Sequence, residues 1–157
     1  MKLYHGGINR VEKPILLQVS RKLDFGAGFY TTSDFEQAKR WATIKQQRNN
    51  SERAVVSVYN LNPSKALNIK EFKYADEKWL DFIMKHRMGL NISNKFDIII
   101  GPVANDTLYE TLSLYERGIL THEETIVRLK VHELTDQITF KTEKALSFLN
   151  YESEELI

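Results

Sequence analysis

Phe96-Asp97-Ile98-Ile99-Ile100-Gly101-Pro102-Val103 is the stretch on which the architecture of this chain turns. Its apolar run has the length of a strand and predicts a buried one, stopped by Gly101-Pro102 because proline cannot donate to a ladder. Upstream, Ala54-Val55-Val56-Ser57-Val58-Tyr59-Asn60-Leu61 is β-branched and aromatic and ends at Asn62-Pro63-Ser64, a second clear strand. A further strand is expected over Ala66 to Phe72. A helix follows from Tyr74 to Arg87 with Trp79, Leu80 and Ile83 inward and Gly89 as its stop.

Nearer the start, Leu3 to His5 reads as a short strand, 8–19 has no firm period around Pro14, and Phe29 to Thr32 is β-rich. Ser33-Asp34-Phe35-Glu36 fits a capping box that opens a helix. Phe35, Ala38, Trp41, Ala42 and the stem of Lys45 lie on one stripe of that helix, which ends at Asn49-Asn50-Ser51. Downstream, Leu108, Leu112, Tyr115 and Ile119 repeat at helical spacing, and a short helix is expected over Glu123 to Lys130. Gln137 to Thr142 is β-prone, Glu143 to Leu149 reads as a helix, and the acidic Glu152-Ser153-Glu154-Glu155 as a frayed end. Strands separated by helices in irregular order predict an α+β fold, with one domain over 1–150 and an acidic tail over 151–157.

At 157 residues the chain is large enough for a single core, and 42% hydrophobic with 27% charged residues excludes a disordered or collagen-like chain. Twenty-two Lys and Arg against 21 Asp and Glu leave a formal charge of +1, so no uniform field draws in nucleic acid, although a local basic patch stays open. The absence of cysteine excludes disulfides, thiolate metal sites and cysteine nucleophiles. Tyr4, His5 and two glycines stand where a signal peptide would carry its apolar region, and no window has the length of a membrane span. The expectation is a cytoplasmic protein without a membrane partner.

Chemistry concentrates in a few places. His5-Gly6-Gly7 offers an imidazole beside backbone that a flat ligand can approach, although on these residues alone a satisfied histidine at a strand end with a tight turn is the favoured account. Asp24-Phe25-Gly26-Ala27-Gly28-Phe29-Tyr30 lacks the surroundings of a kinase metal-binding triplet or a dinucleotide fingerprint. Its glycines instead let the loop fold close to a ligand, and Tyr30 can supply a flat π face. Asn105-Asp106-Thr107 stands at a helix start, where capping and a substrate-facing role are both open. Asp136-Gln137 places polar groups at the start of the last predicted strand, with Thr142-Glu143 after its end. His86, His122 and His132 have no partners at metal-ligand spacing, and no metal is assigned.

Taken in order, Leu3-Tyr4-His5-Gly6-Gly7, Gly26-Ala27-Gly28-Phe29-Tyr30-Thr31-Thr32 with Gln37-Ala38 through Trp41-Ala42, and Asp136 to Leu146 resemble the three blocks of the ADP-ribosyltransferase superfamily, in its histidine-tyrosine branch. With Phe96 to Asp106 included, the set resembles a bacterial family of uncharacterised proteins placed in that superfamily, over nearly the whole chain. The resemblance implies a split core of two antiparallel sheets with inserted helices enclosing an NAD cleft. In it His5 would hold the nicotinamide ribose, Gly6 the carboxamide through its backbone, and Tyr30 would stack on the nicotinamide, with Thr31 and Trp41 in the same NAD-binding set. The superfamily's third position is usually glutamate; here Gln137 matches it, and Asp136, Glu143 or Asp106 is left to supply a carboxylate.

The resemblance implies a mono-ADP-ribosyltransferase that uses NAD as substrate and no metal, and that modifies a protein or nucleic-acid acceptor as a bacterial toxin or defence effector. An antitoxin or other regulatory protein is then an expected partner. The alternative is a catalytically weak or inactive NAD- or nucleotide-binding module of the same fold, acting through a protein partner. Phosphotransfer in the style of the related RNA phosphotransferases is disfavoured, since no matching arginine and histidine set is recognisable.

Overall fold

A computed structural model of the chain describes residues 1–18, 23–90, 95–103, 106–130 and 134–157, leaving aside the side chains of 106 and 107. Among these the fold is α+β, with seven strands and five helices, as the pattern of strands and helices indicates.

The apolar run from Phe96 to Val103 forms β5 (Ile98–Pro102), which lies inside a four-stranded sheet in the order β2 (Phe29–Thr31), β6 (Asp136–Phe140), β5 and β4 (Ile69–Glu71). Ile98 and Ile99 are both fully buried, one on each face, which is why the run has no polar alternation. A second sheet of three antiparallel strands is formed by β1 (Lys2–Gly7), β3 (Val55–Leu61) and β7 (Leu149–Leu156), with β3 central. The sheets meet where Tyr4 and Thr32 exchange backbone hydrogen bonds of 2.9 and 3.0 Å.

Three apolar clusters define the layering. Leu3, Tyr59 and Leu61 of the first sheet pack with Phe29, Ile98, Ile138 and Phe140 of the second. The other face of the four-stranded sheet is covered by α2 (Glu77–Arg87), α3 (Asp106–Glu116) and α4 (His122–Leu129) through Trp79, Leu80, Ile83, Leu108, Leu112 and Leu129. The outer face of the three-stranded sheet carries α1 (Phe35–Arg48), whose Ala38 and Ala42 pack with Ala54 and Val56. The short α5 (Glu143–Leu146), capped by the Thr142 hydroxyl, closes the end of β6.

Three expectations need correction. First, β4 runs parallel to β5, with α2 as the crossover between them, so the second sheet is mixed and not antiparallel throughout. Second, residues 151–157 do not fray: Val55 to Leu61 pair with Leu156 back to Leu149, because β3 has a second edge whose amides and carbonyls find their partners there. Third, Ser33 does not cap α1. Its amide and hydroxyl are taken by the Asp136 carboxylate at 2.9 and 2.6 Å, so the cap moves on to Asp34, which accepts from the Gln37 amide.

Candidate functional site

His5 lies on the same face of β1 as Leu3, and the alternation of the strand turns Tyr4 and Gly6 toward α1. The imidazole stacks on Phe29, with centroids 4.6 Å apart and planes 23° from parallel. Its Nδ1 lies 2.7 Å from the Tyr30 carbonyl oxygen, which can only accept, so Nδ1 carries the hydrogen and Nε2 keeps its lone pair. Burial of the ring, reinforced by the nearby Lys45 charge, pushes the His5 pKa down to about 3. At neutral pH the site therefore contains a neutral imidazole of fixed tautomer whose free nitrogen accepts.

Gly6 owes its identity to packing. A Cβ there would come 2.0 Å from the Ala38 carbonyl oxygen and 2.7 Å from the Ala42 amide nitrogen, so glycine is what lets α1 press onto β1. Its carbonyl accepts the Lys45 ammonium at 2.7 Å. Lys45 is exposed as a residue, yet burial of its ammonium lowers the pKa.

Tyr30 donates its hydroxyl hydrogen to the Gly26 carbonyl at 2.6 Å and accepts the Phe25 amide at 3.2 Å, which closes the 24–30 segment into a tight turn. Gly26 takes φ +71°, a conformation open to glycine at no steric cost. The Lys141 ammonium clamps the same turn through the Phe25 carbonyl at 2.6 Å and the Ala27 carbonyl, and burial lowers its pKa to about 8. Burial, and then the Asp24 charge, raise the Tyr30 phenol well above its ordinary range, so it acts as a neutral ring.

These pieces open onto a cleft of about 990 Å³ lined by His5, Tyr30, Trp41 and Gln137 from the sequence-derived set. Gln137, 3% exposed at the start of β6, donates from Nε2 to Asp24 Oδ2 at 3.0 Å and to the Pro102 carbonyl at 3.3 Å. One face of α1 forms a wall of the cleft with Gln37, Arg40, Trp41, Ile44, Lys45 and Arg48, at spacings of three and four. Trp41 is half-buried and borders the cleft, while Ala38 and Ala42 on the other side carry the packing. Gln37 is 5% exposed. Its Oε1 accepts from Thr135 and from Arg40 at 3.3 Å, and its buried Nε2 has no partner among the described residues. Among the described residues of the lining, Lys13, Arg40, Lys45 and Arg48 stand against the one carboxylate of Asp24, and Arg40 also has Asp34 at 3.9 Å. A chain of nearly zero net charge thus concentrates positive potential here.

Of the remaining sequence-derived candidates, Thr31, Asp136 and Glu143 lie elsewhere. Thr31 is fully buried and its hydroxyl is donated to the Ile138 carbonyl at 2.9 Å, a cross-strand bond that keeps it out of the cleft. Asp136 precedes Gln137 and so points to the opposite face, where it accepts from Thr32 at 3.0 Å and from Ser33. Glu143 is exposed at the start of α5, beyond the far end of β6. Asn105 and the side chain of Asp106 lie outside the described residues. Conversely, Asp24, Gln37 and the α1 cations are not among the site candidates that the sequence offers. The cations and Gln37 carry a legible signal, a second stripe of polar residues on a helix whose apolar stripe is narrow. Asp24 carries none, because only the folded turn brings it to Gln137.

The chain matches the family described as a protein of unknown function, DUF3990, over residues 1–151, and it belongs to that family. No curated protein and no solved structure matches it.

Proposed function

We propose that this member of the family binds NAD in the cleft and transfers a single ADP-ribose unit from it to a macromolecular acceptor, protein or nucleic acid. The observation that carries the reading is the convergence of His5, Tyr30, Trp41 and Gln137, drawn from β1, β2, α1 and β6, on one cleft. The chemistry of its lining fits the ligand. The acceptor Nε2 of His5 suits a ribose hydroxyl, the rings of Tyr30 and Trp41 suit a flat heterocycle, and the buried Nε2 of Gln37 is a donor awaiting an acceptor. Arg40, Lys45 and Arg48 suit a pyrophosphate.

Nicotinamide leaves ribose with the electron pair of the glycosidic bond, and positive charge builds on the sugar as it does in glycoside hydrolysis. A neutral imidazole adds no repulsion to that charge, and a dry, oriented site strengthens every dipole aimed at it. Gln137 brings a hydrogen bond and no charge, which favours single-unit transfer over polymer synthesis. In a cell such an activity fits a toxin or defence effector restrained by a dedicated regulatory protein. The uncharged Gln137 also supports the second reading, a binding module that holds NAD without cleaving it.

Calorimetric NAD binding and nicotinamide release by the purified chain, with and without cell extract, separate the two. Release that rises with extract and falls at least tenfold in His5→Ala supports transfer. Binding without release selects the module, and absence of binding overturns both.

A further inference from the structure

The catalytic end of the cleft holds a carboxylate that does not come from the last strand pair of the fold. Gln137 is buried, and its amide nitrogen is shared between Asp24 Oδ2 at 3.0 Å and the Pro102 carbonyl at 3.3 Å. Pro102 in turn accepts the Trp79 indole at 3.1 Å, so the amide is anchored to the core beneath the sheet. Both hydrogens of the Gln137 amide group are thereby occupied in holding neighbours. Asp24 reaches it from a turn fixed on the other side by fully buried Phe25, by the Tyr30 hydroxyl and by the Lys141 clamp. Glutamate at 137 would set two carboxylates side by side, and like charges so close resist joint ionisation. Glutamine is the residue that fits beside Asp24.

Resting on the NAD reading above, we infer that Asp24 supplies the anionic charge for transfer and that Gln137 is its positioning residue. The negative charge at this end of the cleft is carried by the turn. As the C1′ to nicotinamide bond breaks and nicotinamide departs with its electron pair, the Asp24 carboxylate faces the positive ribose. An acceptor oxygen or nitrogen then bonds to C1′, and its proton passes to Asp24.

The test uses the full chain, NAD as probe, calorimetric affinity and nicotinamide release in the presence of extract, with thermal unfolding to verify that each variant folds. Asp24→Asn is expected to lower release about 100-fold, the size of effect typical for loss of a charge-stabilising group, with NAD affinity within about threefold of wild type. Gln137→Leu is expected to lower kcat about tenfold with little change in affinity, as loss of positioning does. The decisive variant is the exchange Asp24→Asn with Gln137→Glu, which returns the charge to the strand and is expected to recover at least about tenfold over Asp24→Asn alone. Wild-type release in Asp24→Asn, or an exchange that recovers nothing, overturns the assignment while leaving the NAD reading in place. A wild-type chain that does not bind NAD overturns the NAD reading itself, and the assignment of Asp24 with it.

Discussion

At the scale of single residues, His5 and Gly6 stand side by side for different reasons. The histidine is legible because an imidazole at a strand end beside glycines is poised for a ligand, yet its tautomer and charge depend on Phe29, Tyr30 and Lys45, which no local rule predicts. Its pKa lies near 3 in the fold against an ordinary 6.5, so the unfolded chain takes up the proton first. Stability therefore rises with pH from about 3 to about 6.5 and is lost as pH falls through that window. Between pH 7 and pH 4.5 the unfolding free energy from denaturant titrations is expected to fall further in wild type than in His5→Gln, by about 2–3 kcal/mol. An equal fall in both would contradict a buried neutral ring. The sequence presents Gly6 as backbone that a flat ligand can approach; in the fold, the space its Cβ would take is filled by the backbone of α1. Gly6→Ala is expected to cost about 2–3 kcal/mol in chemical denaturation as the helix is forced outward, an effect that a solvent-lined glycine would not produce.

At the scale of elements, α1 decides how the site is built. Its alanines face β1 and its amide, tryptophan and cations face the cleft, so one helix serves as packing and as a binding wall. On the proposed NAD reading, Arg48→Gln and Arg40→Gln are each expected to weaken NAD binding about three- to tenfold and to flatten its dependence on salt, because screening acts on those charges. Affinity unchanged from low to high salt in both wild type and variants would remove the phosphates from this wall. The helix start shows why local rules slip by one residue. Ser33 has the right chemistry for a cap, but Asp136 arrives from β6 and binds it more strongly through charge. Asp34→Ala is expected to cost about 1 kcal/mol as a lost cap. A double-mutant cycle should couple Ser33 to Asp136 and leave Asp34 independent of Asp136.

At the scale of the whole molecule, the two sheets share one core, and the cleft is lined by residues of β1, β2, β6 and α1. The strand β7 completes the first sheet, so truncation after Asn150 removes most of the pairing of β3 on that side. Thermal unfolding of the truncated chain is expected at a clearly lower temperature, with loss of cooperativity, and an unchanged transition would mean that the last residues bear no load. Among the described residues no helix is long and apolar enough to cross a membrane.

Apart from β7, whose acidic residues read as a frayed end, the elements were legible because apolar periodicity and punctuation by Gly, Pro and caps are local properties. The buried run at Ile98 to Ile100, the stop at Gly89 and the opening of α5 at Thr142 all follow from neighbours within one turn or one strand. Composition likewise determined that any chemistry here belongs to oxygen and nitrogen groups. Pairing was not legible in the same way. The parallel entry of β4, the capture of the acidic end by β3 and the meeting of Asp24 with Gln137 join residues far apart in sequence. Such contacts form only after the chain has met the entropic cost of closing long loops, and the return comes from hydrogen bonds and burial that no single segment possesses. The sequence determined which groups were available for a site, and the tertiary structure decided which of them share it.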